Sequence, residues 1–427
     1  MNILDCLKEI QSEKVKNTFA YLYGDDIKTI EAQTERYKAA IESFQDYFPS
    51  RTDISIYSAS GRTEIGGNHT DHQRGTVLAG AVNLDVIAVV AFHNDGVVRL
   101  KSKGYLLSEI KIEPFTPDER DDGTTAIVKG IITKFSEMGI DVKGFDMYTT
   151  SDVISGGGIS SSAAFETVIA TAINIHYNQG KCNPFEIAKI GWFAENKFFG
   201  KKCGLLDQTV SSYSGLVSVD FANEDNPEIE RISFDFEKFG YTLCIVDTNS
   251  SHENLTEDYV DIRKDMKAVA DYFDRDVLSE VDENMFYSCF KNMRDFCSDK
   301  AILRAMHFLD ETKRAKQEAE ALKRNDIDLF LKLVNQSGES SANLLQNLYS
   351  VKMPTSQAIP LAIALSKHIL NGVGAVRVHG GGFGGTIQAF VPNEMVKQYK
   401  EEIERVFGDG ACHQMRIRPV GGVEIIR

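Results

Sequence analysis

Polar and apolar positions change period several times along the chain, and each change marks an element. Residues 1–49 mix charged and apolar side chains at helical spacing and group no chemistry, which predicts helices serving packing or subunit contact. Over residues 53–58 the period falls to two, Ile54 and Ile56 alternating with Ser55 and Tyr57, and a first strand is expected there. Apolar runs over 77–92 and 97–100 flank Asn94-Asp95-Gly96, a turn signal that predicts a hairpin. Ala163, Ala164, Phe165, Val168, Ile169 and Ala172 fall at helical spacing. Asn183-Pro184 is a cap and first-turn pair for a helix that carries Trp192, Glu195 and Phe199 and ends near Gly200, so Asp207 lies just beyond a turn. Strands are expected over 216–221 and 241–247 and a helix over 257–273. The charged helical pattern over 286–348 predicts solvated helix faces on one packed layer.

This order predicts a mixed α/β (α+β) protein. No low-complexity linker or internal repeat divides it. We expect a helical extension over 1–49, one domain over 50–225 and a second over 226–427, meeting softly near 221–232.

Composition narrows the function classes. The 427 residues are 42% hydrophobic and 26% charged, as in ordinary globular proteins, with a formal net charge of -15. Such an acidic chain is a poor partner for nucleic acid or an anionic membrane, so any phosphate must be held locally by N–H groups, a metal ion or single arginines. Seven scattered cysteines without a C-x-x-C pair imply reduced thiols and a cytoplasmic location, with no zinc site in view. Neither a signal-peptide core nor an apolar run near the ~20 residues of a membrane span is expected.

Three glycine-rich stretches carry the candidate chemistry. Residues 155–167 read S-G-G-G-I-S-S-S-A-A-F-E-T, so glycines and hydroxyls meet at a helix N-terminus, where free N–H groups and the helix dipole favour an anion. Residues 61–75 read G-R-T-E-I-G-G-N-H-T-D-H-Q-R-G. In the third stretch Gly380, Gly382 and Gly385 formally fit G-x-G-x-x-G, but a β-rich run follows where a dinucleotide site needs a helix, so a turn between two strands is the better reading. No Walker sequence is present, so a nucleotide would not be held by a P-loop.

Arg62 through Asp71, the G-G-G-I-S-S-S-A loop, the G-L-L-D-Q segment at 204–208 and the late G-G-G-F-G-G occur together in an order that resembles the GHMP small-molecule kinases, and within them the galactokinase family, from about residue 40 onwards. The resemblance implies two α/β domains with the active site between them, and ATP-dependent phosphorylation of a small sugar at C1 with Mg²⁺. It assigns Asp207 to the active-site aspartate facing the anomeric hydroxyl and Arg62 to the arginine beside it. Gly156, Gly157, Gly158, Ser160, Ser161 and Ser162 match the phosphate-binding loop, with Ser162 and Glu195 as magnesium ligands. Asn68, His69, Asp71, Gly204 and Tyr259 match sugar contacts, Tyr259 through H-x-x-L-x-x-x-Y-x-x-x-R beginning at His252. Three positions depart from the family's pattern: Asn68 replaces a glutamate that meets the C6 hydroxyl, Gly66 an apolar residue and His72 a tyrosine. Asparagine would tolerate a C6 carboxylate, and Arg74, in place of a glycine, adds positive charge. A galacturonate-type hexuronate 1-kinase is therefore the alternative to a galactose 1-kinase. A non-catalytic sugar sensor is disfavoured by the intact serine loop and Asp207.

Overall fold

The computed structural model describes residues 1–427 apart from 155–157, 202, 225, 251–254 and the side chain of residue 256. Three helices come first: α1 (Ile3–Glu9), α2 (Glu13–Tyr23) and α3 (Ile27–Tyr47). The side chains of Asn2, Ser12 and Asp26 accept backbone N–H groups at their starts, which is why each begins where it does. Then follow β1 (Ser55–Gly66), β2 (Thr76–Phe92), β3 (Val97–Ser102), β4 (Leu107–Lys111), α4 (Gly123–Glu137), β5 (Phe145–Ser151), α5 (Ser161–Asn178), α6 (Pro184–Phe193), α7 (Leu206–Tyr213), β6 (Leu216–Asp220) and β7 (Glu228–Ile232). The remainder comprises β8 (Tyr241–Asp247), α8 (Thr256–Tyr272), α9 (Glu283–Ser288), α10 (Phe290–Met293), α11 (Asp299–Lys323), α12 (Ile327–Ser340), α13 (Ala358–Leu370), β9 (Ala375–Val378), β10 (Thr386–Pro392), α14 (Val396–Phe407), β11 (Cys412–Met415) and β12 (Val423–Ile426).

The first sheet runs β12-β1-β2-β5-β3-β4, with β6 and β7 continuing from β2. The expected hairpin between β2 and β3 does not form. Strand β5 lies between them, antiparallel to β2 (Ile87 opposite Thr150) and parallel to β3 (Val98 opposite Phe145). Residues 93–96 therefore bridge over a strand supplied from far along the chain, a choice no local turn signal encodes.

The two-residue period in β1 also misleads, because both faces are covered. Ile54, Ile56, Ile87 and Val89 pack with Phe19, Tyr37 and Phe44 of α2 and α3, while Tyr57, Ala59, Ala88 and Val90 pack with Val128, Ile131, Val168 and Ile169 of α4 and α5. Residues 1–49 thus form the outer layer of the sheet.

The second sheet has the order β11-β8-β10-β9, and Gly380, Gly382 and Gly385, all with positive φ, make the turn between β9 and β10 as expected. The prediction of solvated charge on the late helices is corrected at one face of α11. Arg304, His307, Glu311 and Glu318 are at most 1% exposed there. Among the described residues no helix is long and apolar enough to cross a membrane.

Candidate active site

Strand β1 passes directly beneath the serine loop. Arg62 N donates to Ile159 O at 2.9 Å, and a Cβ on Gly61 would stand 2.6 Å from the same oxygen, so only glycine permits this approach. The first turn of α7 presents Asp207 across the gap. Arg62 Nε and Nη2 both lie 2.7 Å from Asp207 Oδ1, Arg62 Nη1 donates to Gly158 O, and Ser160 Oγ donates to Asp207 Oδ2. The guanidinium is 12% and the carboxylate 33% exposed, so the pair is partly desolvated yet open to a reactant. Three segments far apart in sequence meet here at one carboxylate.

Ser161 and Ser162 open α5, at the positive end of its dipole. A cavity of about 300 Å³ adjoins them, lined also by Lys103, Tyr105, Phe165 and Phe199. Gly156 and Gly157 lie outside the described residues. Glu195 is only 2% exposed and sits in a single π-helical turn, Ala194–Phe198, that continues α6. Ser162 Oγ is 3.4 Å from Glu195 Oε1, while Gln208 Nε2 donates to Oε2 at 2.8 Å. Among the described residues no group of three or more His, Cys, Asp or Glu side chains could hold a metal alone. One carboxylate and one hydroxyl beside a phosphate cradle nevertheless suit magnesium, which takes few protein ligands and completes its shell with phosphate oxygens and water.

The sugar motif divides into two groups. His69, at φ 58°, places Nε2 2.9 Å from Gly381 O. Burial lowers its pKa to about 4, so the ring is neutral. A carbonyl can only accept, so Nε2 carries the proton and Nδ1 is left as an acceptor. The His69 ring lies 6.3 Å from that of Tyr259, whose hydroxyl donates to Gly382 O and whose pKa burial raises to about 12. Burial also pushes the Asp71 carboxyl up, against the field of Arg263. A Cβ on Gly204 would lie 2.7 Å from Asp71 Oδ2, so glycine there keeps that carboxylate in place. His252 lies outside the described residues.

Asn68 belongs to a different group. It is fully buried, and its side chain uses all four of its hydrogen-bonding positions within the protein. Nδ2 donates to Glu64 Oε1 (2.9 Å) and Gly380 O (2.7 Å), and Oδ1 accepts from Ser341 Oγ (3.3 Å) and Asn347 Nδ2 (2.9 Å). Asn68, expected among the sugar contacts, spends these bonds within the protein and ties the motif to the glycine turn and to the segment after α12. Gly66 has a packing reason too, since a Cβ there would stand 1.7 Å from Glu318 Oε2. Arg74 is engaged by Glu280 (3.0 Å) and Glu224 (3.5 Å), so its charge is balanced at the surface.

Several residues of this region were missed. Gln208 bridges Glu195 and the buried Glu166, whose pKa burial and Glu195 raise well above the usual range. Arg377 pairs with Glu64 at 2.8 Å beside Glu311 of α11. The spacing of Arg304, His307, Glu311 and Glu318 along one helical stripe was a usable signal, since solvated charges need no common face.

Comparison with known proteins agrees with this architecture. Residues 126–215 match the profile described as GHMP kinases N terminal domain, and residues 42–92 match the galactokinase galactose-binding signature. In fold, the chain is similar to the galactokinase of Lactococcus lactis solved with galactose (TM-score 0.76, 20% identity, covering 91% of this chain and 99% of that one). It is also similar to the mevalonate kinase of Methanococcus jannaschii (TM-score 0.60, 17% identity, 86% and 98%). The fold is that of the GHMP small-molecule kinases. The chain is 30% identical over 367 residues to the galactokinase of Glaesserella parasuis serovar 5 (strain SH0165), covering 84% of this chain and 91% of that protein. It belongs to the galactokinase family and is an ATP-dependent sugar kinase.

Proposed function

We propose that the protein transfers the γ-phosphoryl group of ATP to the C1 hydroxyl of galactose. The observation that carries this reading is the Arg62–Asp207 pair joined to the serine loop through Gly158 and Ser160. A hydroxyl placed against Asp207 Oδ2 loses its proton to that carboxylate as its oxygen forms the new bond to phosphorus. The bond from the γ-phosphorus to the oxygen bridging it to the β-phosphate breaks, and ADP leaves. Arg62 orients the Asp207 carboxylate and offsets the negative charge on the attacking oxygen. Ser160, Ser161, Ser162 and Gly158 hold the phosphates at the N-terminus of α5. Glu195 and Ser162 are the residues that would hold magnesium, which when bound draws charge from the phosphate oxygens. His69, Asp71, Gly204 and Tyr259 position the sugar, with His69 Nδ1 as an acceptor for one of its hydroxyls.

The hexuronate alternative is not favoured: Asn68 is turned into the protein and Arg74 is paired with Glu224 and Glu280, two of the residues that motivated it. We place the reaction in the cytoplasm, where ATP is supplied and seven unpaired cysteines stay reduced. Sugar-dependent ATP consumption across hexoses and hexuronates tests the reading. Turnover should be highest with galactose, and sugar binding without turnover for any acceptor would refute it.

A further inference from the structure

Glu195 already holds a cation in this structure. Lys201 Nζ lies 2.9 Å from Glu195 Oε1, the same oxygen that faces Ser162. The placement is built into the backbone. Gly200, at φ 76°, reverses the chain after the π-helical turn, and Lys201 N donates to Glu195 O at 3.1 Å, so the lysine returns onto the carboxylate six residues before it. The other oxygen, Oε2, is occupied by Gln208 Nε2 (2.8 Å) and the Cys203 thiol (3.0 Å). A divalent ion reaching Glu195 must therefore meet it at Oε1, where the ammonium sits. The two partners differ sharply in their freedom to move: the Glu195 side chain is 3% exposed and that of Lys201 59%.

We propose that Lys201 is a displaceable cation at the nucleotide site, neutralising Glu195 until metal-bound nucleotide arrives and then turning to the phosphate oxygens beside Ser160–Ser162. Two cations at Oε1 repel one another, and Ser162 Oγ lies 3.4 Å from the oxygen that Lys201 holds, so a change of side-chain rotamer on a four-carbon stem moves the ammonium towards the serines. This device would keep free divalent ions off Glu195 and reserve the site for the metal–nucleotide complex. The inference rests on Glu195 as a metal ligand, and its test separates the two.

Manganese binding followed by electron paramagnetic resonance, with and without ATP, is the measurement. Nucleotide-free Lys201→Met should bind Mn²⁺ at least tenfold more tightly than wild type, and Lys201→Arg should resemble wild type. Lys201→Met should also raise the KM for MgATP while leaving that for the sugar unchanged. Equal Mn²⁺ affinity in wild type and Lys201→Met overturns the displacement. If Glu195→Gln still weakens binding of the Mn²⁺–ATP complex, only the role of Lys201 has failed. If Glu195→Gln has no effect either, the metal role of Glu195 falls with it.

Discussion

Replacing Asn68 by glutamate restores the family's residue, yet here it should damage the protein rather than sharpen its sugar recognition. The substitution removes both N–H donors of a side chain with no exposed surface, leaving Gly380 O and one bond of Glu64 Oε1 unmet. A buried acceptor stripped of its donor costs about 1–3 kcal/mol. Glu64 keeps Arg377 at 2.8 Å, so the two losses together come to about 2–4 kcal/mol. A second carboxylate against Glu64 adds repulsion to that sum. Set against a typical stability of about 5–15 kcal/mol, the loss is large. Denaturant unfolding of wild type, Asn68→Glu and Asn68→Asp measures it directly. Both variants should be markedly destabilised, and the ratio of kcat/KM for galactose to that for galacturonate should not change in the folded fraction. A fully stable Asn68→Glu whose sugar preference shifts tenfold would mean that this side chain faces the sugar, and the argument from its four hydrogen bonds would be wrong.

Asp207→Asn should lower turnover by at least ~10²-fold, the lower bound for losing a positioned base. Sugar and ATP dissociation constants should change much less, because the swap is nearly isosteric; near-normal turnover of the folded variant would remove Asp207 from the chemistry. Glu311 makes the clearest pH prediction. Burial alone would raise its pKa, but His307, Arg314 and Arg377 hold it down at about 2, against an ordinary 4.5. A folded-state pKa below the unfolded value stabilises the protein above pH 4.5, and that contribution disappears as pH falls towards 2. Glu311→Gln should therefore be less stable than wild type at pH 7, with the gap narrowing between pH 4.5 and 2; a gap independent of pH would refute the assignment.

Local chemistry was legible in the amino-acid order. Helix starts at Asn183 and after the serine run, the turn at 380–385, and strand β8 follow from capping residues, positive-φ glycines and β-branched runs, which act over a few residues. The ordered motifs also pointed to the kinase family and to Arg62, Ser160 and Asp207, which the fold brings together. Three features were decided only by tertiary packing. Strand β5 separates β2 from β3 because pairing partners are chosen across the whole sheet, so the Asn94-Asp95-Gly96 signal could not report it. The alternation in β1 does not divide core from solvent, because α1–α3 cover the face that a bare sheet would leave wet. Asn68 points into the protein because Glu64, Gly380, Ser341 and Asn347 converge on it from four places in the chain. A side chain's type states which bonds it can make; which partners lie within hydrogen-bonding distance is set by long-range packing, and the sequence around Asn68 carries no record of it.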